Sequence, residues 1–115
     1  MFDKIFDEIK MLDVSLLVNS AGLYDVGFFE NISEEAHLNE VNVNVIAPVR
    51  ITRKFVPLLL DHTNKTTKRC GIINISSVAG LIVCPTSAVY SATKAAVYMF
   101  SRCLQAEYKG NTFLM

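Results

Sequence analysis

The sequence predicts an α/β fold with a parallel sheet, because short apolar runs of strand length alternate with longer segments of helical periodicity. "VSLLV" (14–18) and "IINIS" (72–76) are apolar and rich in β-branched residues, as expected for strands buried on both faces. A long helical segment separates them, and another follows the second. Strands connected through helices imply right-handed βαβ crossovers within one sheet.

Three segments are predicted to be helices. Residues 2–11 repeat apolar side chains at helical spacing, so they form an amphipathic helix. Ser33 is followed by two acidic residues, which is typical of a helix N-cap, and the helix that it opens covers 33–60. The segment 88–108 has neither Gly nor Pro. "TFLM" (112–115) predicts the beginning of a third strand.

The predicted sheet is too small to be complete. Two or three parallel strands cannot cover both faces of segments this apolar, and strand 14–18 would lie at an open edge. A hydrophobic content of 51% and a mean hydropathy of +0.34 agree with a segment from the middle of a larger fold. We therefore expect residues 1–115 to be part of a single domain.

Charge and cysteine content exclude several classes of function. Eleven basic and eleven acidic residues give a net charge of zero, and the basic residues form no stripe, so neither nucleic acid nor an anionic membrane is an expected partner. Three widely spaced cysteines disfavour a disulfide framework and a zinc site. No run approaches the ~18 apolar residues of a membrane span. We expect a cytoplasmic or other reducing intracellular location.

A candidate catalytic pair lies in "AVYSATKAAV" (88–97). Tyr90 and Lys94 are four residues apart and therefore share one helix face. A positive charge beside a phenol favours the phenolate, so the phenol becomes a usable proton donor and acceptor. Ser77 follows the strand "IINIS", and open α/β sheets bind ligands at the carboxyl ends of their strands. These three side chains could together protonate a carbonyl.

The chain closely resembles the short-chain dehydrogenase/reductase family over essentially its whole length. Four motifs in the family's order carry the resemblance: "LVNSAG" (17–22), "VNVNVIAPVRITRKFVPLL" (41–59), "GIINISSVAG" (71–80) and "YSATK" (90–94). The resemblance implies a Rossmann-like parallel sheet that binds a nicotinamide dinucleotide. It also implies that the N-terminal βαβ unit and the C-terminal strands and lid are missing from these 115 residues.

Catalytic roles follow from this resemblance residue by residue. Tyr90 is expected to be the general acid/base that exchanges a proton with the substrate oxygen. Lys94 is expected to hold the nicotinamide ribose hydroxyls and to favour the Tyr90 phenolate. Ser77 resembles the residue that donates a hydrogen bond to the substrate oxygen. In all three roles the substrate is a ketone or a secondary alcohol.

Asn44 is expected to take the place of the family's catalytic asparagine, judged by its distance from Pro57, although Asn42 is close enough to be confused with it. In the family, the backbone carbonyl of this residue holds a water that leads to the lysine. Pro48 adds a physical reason, since it has no N–H and cannot donate to the Asn44 carbonyl. The same proline would also kink the helix.

Asn19, Ala21 and Gly22 match the family's motif at the end of the first strand, although Ser20 stands where a second asparagine is common. By resemblance they support the sheet and approach the adenosine half of the cofactor. Tyr90 and Lys94 are also expected to be cofactor-binding residues. The glycine-rich phosphate turn and the segment that selects NAD or NADP are absent. NADP is slightly favoured, but the sequence does not decide.

Two functional hypotheses remain open. The first is an active NAD(P)-dependent oxidoreductase, and the second is an inactive truncated isoform that binds a full-length relative. A hydrolase with Ser77 as nucleophile is set aside, because neither a GxSxG turn nor a histidine base is evident. Helices 33–60 and 88–108 resemble those that pair subunits in the family, so a homo-oligomer is expected. The apolar loop "VAGLIVCPTSAV" (78–89) suits a hydrophobic substrate or ordinary packing.

Overall fold

The computed structural model describes residues 2–66, 69–109 and 113–114. Its three strands form one parallel sheet in the order β1-β2-β3 and are β1 (Leu16–Asn19), β2 (Cys70–Asn74) and β3 (Phe113–Leu114). Its helices are α1 (Phe2–Ile9), α2 (Glu34–Val41), α3 (Ala47–Thr66) and α4 (Ala88–Glu107). Two short 3₁₀ turns lie at Phe29–Asn31 and Val78–Gly80. The predicted α/β fold with a parallel sheet is confirmed.

The register of the sheet brings the ends of β1 and β2 to the same level. Leu16 pairs with Gly71, and Asn19 pairs with Asn74. Just beyond the paired residues, the Ile75 N–H donates to the Asn19 carbonyl at 2.9 Å. The second strand thus begins and ends two residues earlier than predicted, because Cys70 and Gly71 pair inside the sheet while Ile75 and Ser76 lie in the segment that leaves it.

One face of the sheet is packed and the other is open. Leu17 and Ile72 are paired neighbours that face the core, where Leu59 of α3 is completely buried. Val18 and Ile73 are the next pair and face the opposite side, where each is about half exposed. The buried core consists of Phe55, Val56, Leu59, Cys70 and Ile72. The expectation of an incompletely covered sheet with β1 at its edge agrees with this arrangement.

The predicted helix 33–60 is interrupted by a π-helical turn and extends further than predicted. The Ser33 Oγ accepts the Ala36 N–H at 3.2 Å, so the predicted N-cap is confirmed. The π turn covers Asn42–Ile46, and the Ala47 N–H donates to the Asn42 carbonyl five residues back. Pro48, which has no N–H, follows immediately. Such turns insert one extra residue into a helix and are frequent at functional sites.

The other predicted elements agree closely with the structure. Helix α4 ends at Glu107, one residue before the predicted end, and β3 is present at Phe113–Leu114, within the predicted segment 112–115. Residues 112 and 115 lie outside the described residues. Across the described ranges, no helix combines the length and the apolar character that a membrane crossing requires.

Candidate active site

The segment that leaves β2 is joined to α4 at Lys94. The Lys94 Nζ donates a hydrogen bond to the Ile75 carbonyl at 2.9 Å. In the opposite direction, the Ser76 Oγ donates to the Lys94 backbone carbonyl at 2.7 Å. A single lysine is therefore held by both its side chain and its backbone against the end of the central strand.

Gly80 brings the 3₁₀ turn Val78–Gly80 into direct contact with α4. A Cβ at this position would lie 2.7 Å from the Lys94 carbonyl carbon and 2.7 Å from the Ala95 nitrogen. Both are backbone atoms that cannot move aside, so glycine is needed for close approach rather than for its conformation. Ser77 caps this turn, because its Oγ accepts the Ala79 N–H at 3.2 Å. The turn therefore carries Ser77 against the helix at the level of Lys94.

Tyr90 and Lys94 face the same side of α4, as their spacing predicts. The Lys94 ammonium lies 5.6 Å from the centroid of the Tyr90 ring. The lysine residue is only 5% exposed, whereas Tyr90 is half-buried. Burial lowers the pKa of the Lys94 ammonium, because removal from water disfavours its charged form. Within the part of the chain that the structure describes, the Tyr90 hydroxyl has no hydrogen-bond partner.

Asn44, and not Asn42, points into the site. Asn44 is 2% exposed, whereas Asn42 is exposed to solvent. The Asn44 Oδ1 accepts the Leu23 N–H at 2.8 Å, and its Nδ2 donates to the Leu23 carbonyl at 2.9 Å and to the Thr93 Oγ1 at 3.0 Å. Its side chain thus connects the π turn, the loop after β1 and α4.

The residues at the end of β1 have different positions: one joins the strands to α3, and another lies at the site. The Asn19 Nδ2 donates to the Asn74 Oδ1 at 2.8 Å and to the Thr52 Oγ1 at 3.2 Å, so its side chain joins the two strands to α3. Ala21 is exposed. Gly22 lies at the site, since a Cβ there would be 3.4 Å from the Asn44 Oδ1 and 3.6 Å from the Lys94 Nζ.

Several residues of this site carry no signal that sequence reasoning could detect. The Tyr24 ring lies against the Tyr90 ring with centroids 4.5 Å apart, and its hydroxyl is 3.1 Å from the Ser87 Oγ. Glu40 is 1% exposed, and its Oε1 accepts the Asp25 N–H at 3.4 Å. Each of these contacts joins residues far apart in the chain, so no local motif marks them.

Burial raises the pKa of the Glu40 carboxyl above its usual range, because the charged form loses hydration. The Asp25 N–H partly opposes this effect by stabilising the carboxylate. Among the described residues, no group of three or more His, Cys, Asp or Glu side chains could hold a metal ion.

The donor groups fit the nicotinamide end of a dinucleotide. A lysine ammonium has three N–H donors, and the Ile75 carbonyl accepts one of them. The remaining donors suit the adjacent hydroxyls of a ribose, and the phenol of Tyr90 lies on the same side of α4. A phenol, an ammonium and the hydroxyl of Ser77 suit proton transfer to or from a substrate oxygen.

Comparison with known proteins shows the family to which the chain belongs. The family model for short chain dehydrogenases matches residues 1–112. The chain belongs to the short-chain dehydrogenase family. It is 35% identical over 115 residues to the very-long-chain 3-oxoacyl-CoA reductase of Mus musculus, and this match includes 93% of the chain. The chain spans about a third (35%) of the length of that relative.

Two solved structures that are similar in fold contain nicotinamide cofactors. A short-chain dehydrogenase/reductase from Burkholderia phymatum in complex with NAD is 30% identical, with a TM-score of 0.78 over 88% of this chain and 36% of its own. A Beutenbergia cavernae protein with bound NADP is 26% identical, with a TM-score of 0.83 over 96% of this chain and 43% of its own. Both cofactors thus occur among the relatives, in agreement with NAD(P), and the choice between them stays open.

Proposed function

We propose that this chain carries the catalytic segment of an NAD(P)-dependent oxidoreductase that transfers hydride between a nicotinamide cofactor and a ketone or secondary alcohol. The observation that carries the proposal is the position of Lys94. Its side chain is bonded to the end of β2, adjacent to the Tyr90 ring and within reach of Gly22. A buried ammonium beside a phenol at the carboxyl end of a parallel sheet is suited to acid/base chemistry on an oxygen.

In this proposal Tyr90 moves the proton. When bound, the nicotinamide supplies hydride to a carbonyl carbon or accepts it from an alcohol carbon. During reduction, Tyr90 gives its phenolic proton to the carbonyl oxygen and becomes a phenolate. The nearby Lys94 ammonium stabilises that negative charge, and the phenolate later recovers a proton from solvent. Oxidation of an alcohol uses the same steps in reverse.

Lys94 and Ser77 orient the reactants. The Lys94 donors not used by Ile75 would bind the ribose hydroxyls of the cofactor, so Lys94→Ala should weaken cofactor binding. Ser77, at the start of a turn that packs against α4, would donate its hydroxyl hydrogen to the substrate oxygen and stabilise developing negative charge. Asn44 would fix the loop after β1 against α4, and its backbone carbonyl would hold a water.

We further propose that the substrate is apolar next to its carbonyl. The loop after β1 exposes Leu23, Val26 and Phe28, and the loop after Gly80 exposes Leu81, Ile82 and Val83. The Gly27 N–H donates to the Thr86 carbonyl at 2.9 Å, so these two loops lie side by side. An apolar rim beside the candidate site suits an alkyl chain. The name of the mouse relative, a very-long-chain 3-oxoacyl-CoA reductase, agrees with such a substrate.

The assembly and location of the protein stay proposals. We propose a homo-oligomer in which helices 33–60 and 88–108 pair, and the exposed Tyr98 and Met99 on α4 are consistent with a covered surface. We also propose a reducing intracellular compartment, in agreement with free Cys70, Cys84 and Cys103. No observation favours an inactive form that binds a full-length relative.

The experiment uses the protein at its natural length, established first from the intact mass of the endogenous product. Oxidation of NADH and NADPH is then followed with methyl ketones of increasing chain length. We expect turnover by the wild type and none by Tyr90→Phe, with cofactor binding retained. A wild type that reduces no carbonyl, or a fully active Tyr90→Phe, would overturn the proposal.

The same ketone series tests the apolar rim. Burial of each added methylene contributes about 0.8 kcal/mol, so kcat/KM should rise about fourfold per methylene until the rim is filled. Leu81→Ser should flatten this rise, whereas Met11→Ser, at an exposed position that precedes β1 while the site follows the strand, should leave it unchanged. A flat series in the wild type would contradict the apolar rim without affecting the proposed reaction.

A further inference from the structure

The Tyr90 ring is contacted by an aromatic side chain that the reaction scheme does not use. Tyr24 lies in the loop after β1, and its ring is tilted by 60° against the Tyr90 ring with centroids 4.5 Å apart. This distance is at the short end of the range for favourable aromatic pairs. The Lys94 ammonium also contacts the Tyr90 ring, at 5.6 Å from its centroid. The phenol is thus held by two partners from different elements.

The backbone on both sides of Tyr24 is fixed by two side chains of the adjacent helical segment. Before it, Leu23 exchanges hydrogen bonds with Asn44 through both its N–H and its carbonyl. After it, the Asp25 N–H donates to the buried Glu40. Glu40 and Asn44 are four residues apart in the chain. Tyr24 therefore lies between two residues whose backbones are held by hydrogen bonds, and its side chain is directed towards α4.

The hydroxyl of Tyr24 supplies a third attachment. It lies 3.1 Å from the Oγ of Ser87, which is the residue that precedes α4 and is itself buried. Ser87 and Tyr90 are three residues apart, so the Tyr24 ring and hydroxyl contact both the beginning of the helix and its first turn. The contact joins the loop after β1 directly to the segment that carries the phenol.

We propose that Tyr24 is a positioning residue for Tyr90: its ring, carried on a backbone that Asn44 and Glu40 hold at the two neighbouring residues, fixes the orientation of the phenol that transfers the proton. This inference rests on the proposed oxidoreductase function. Tyr24 acts through Tyr90 and need not contact the reacting atoms. Without the Tyr24 ring, the phenol samples orientations in which its hydroxyl misses the substrate oxygen, and near-attack geometry is populated less often.

The test compares two substitutions at Tyr24 with a matched control in the same segment between β1 and α2. Tyr24→Leu removes the aromatic contact, whereas Tyr24→Phe keeps the ring and removes only the hydroxyl bond to Ser87. Phe29→Leu removes another exposed aromatic ring from the segment between β1 and α2, a ring that stacks on His37. All are made in the protein at its natural length and assayed with NADPH or NADH and the best methyl ketone.

We expect Tyr24→Leu to lower kcat about three- to tenfold, the rate equivalent of one aromatic pair, with a smaller change in KM. Tyr24→Phe should recover most of the lost rate, and Phe29→Leu should match the wild type. Tyr24→Phe keeps the ring and lacks only the hydroxyl. Recovery of the rate in this variant would mean that the loss in Tyr24→Leu comes from the missing ring and not from a general loss of loop structure.

A second readout is independent of turnover. Nitration of Tyr90, followed by peptide mass spectrometry, reports how accessible its ring is, and it should be faster in Tyr24→Leu than in the wild type or Tyr24→Phe. Unchanged kcat and unchanged nitration in Tyr24→Leu would overturn the inference while leaving the oxidoreductase proposal intact. An inactive wild type would instead refute the proposed function, and nitration would still show whether Tyr24 covers Tyr90.

Discussion

Substitution of Gly80 by alanine is the sharpest test of how the strand end is joined to α4. The added Cβ would lie 2.7 Å from both the Lys94 carbonyl carbon and the Ala95 nitrogen, and 3.0 Å from the Lys94 oxygen. All three are atoms of a helix backbone, which cannot yield as a flexible side chain does. The turn Val78–Gly80 must therefore move away from the helix.

The size of this movement follows from the same distances. Ordinary van der Waals contact begins near 3.4 Å, so the turn has to retreat by about 0.7 Å. Overpacking of this kind costs about 1–3 kcal/mol of folding stability. The displaced turn carries Ser77, and misplacement of a catalytic group by about 1 Å can reduce the rate by about 10²-fold. We expect Gly80→Ala to lower kcat by about one to two orders of magnitude.

Gly27 provides a matched control for this experiment. Among the described residues, a Cβ at Gly27 would meet only the Ile32 side chain, at 3.3 Å and 3.4 Å, and this side chain can adjust. The free energy of unfolding, from urea titration followed by circular dichroism, and kcat are measured for both variants. Gly27→Ala should differ little from the wild type in either quantity.

A Gly80→Ala protein with wild-type stability and rate would refute the reasoning, since it would mean that the turn does not press on α4 as the structure indicates. A variant with reduced stability but an unchanged kcat would keep the packing contact and reject its connection to Ser77. Both results can be interpreted because Gly27→Ala controls for the effect of a glycine-to-alanine change on the unfolded chain.

Three further predictions concern buried or partly buried polar groups. Because burial raises the pKa of Glu40, the folded state binds an extra proton just above the usual carboxyl pKa. The free energy of unfolding of the wild type should therefore fall relative to that of Glu40→Gln as the pH rises from about 4. Urea titrations of both proteins in which this difference is the same at every pH would contradict the prediction. Because burial lowers the pKa of Lys94, burying its charged form reduces stability fully below the folded-state pKa, and this cost disappears towards pH about 10. The free energy of unfolding of the wild type should therefore rise relative to that of Lys94→Met as the pH increases over this range. A difference between the two proteins that does not change with pH would contradict the prediction. Asn19→Ala removes the donor to Thr52 and Asn74 and should cost about 1–3 kcal/mol in unfolding experiments, whereas Ser20→Ala at the exposed neighbouring position should be nearly neutral.

The architecture could be predicted from the sequence wherever local pattern and tertiary structure agree. Helix α4 was predicted to within one residue, because its segment has no Gly or Pro and its apolar spacing is regular. Ser33 was recognised as an N-cap from the two acids that follow it. The parallel sheet followed from the alternation of strands and helices, which leaves few other arrangements.

The boundaries that were missed depend on partners elsewhere in the chain. Glycine is frequent in turns, yet Gly71 lies inside β2 because Leu16 pairs with it across the sheet. Ile75 has strand propensity, but its carbonyl accepts from Lys94 and its N–H donates to Asn19 at the point where the strand ends. The π turn likewise was not predicted, because Pro48 indicates only a disturbed helix and not the five-residue hydrogen bond from Ala47 to Asn42.

The residues of the candidate site fall into two groups. The first is placed by local spacing in the sequence, and the second has its partners far away in the chain. Tyr90 and Lys94 could be paired from sequence because four residues of helix fix their relative position. Asn44 could be named from the family resemblance, but its partners Leu23 and Thr93 are 21 and 49 residues away in the chain. Tyr24 and Glu40 belong entirely to the second group. Reactive side chains can therefore be predicted from spacing, whereas the residues that orient them depend on the fold.

Lys94 explains why these orienting contacts concentrate on one short stretch of α4. Its ammonium is buried, and burial alone disfavours the charge that the proposed chemistry requires. The Ile75 carbonyl at the end of β2 supplies the hydrogen bond that compensates part of this cost, and it exists only if the strand ends at that level. The Ser76 bond and the close approach of Gly80 hold the strand end in place. The same contacts therefore stabilise both the junction between sheet and helix and the charged form of Lys94 beside Tyr90. Substitutions that loosen the junction should destabilise both together.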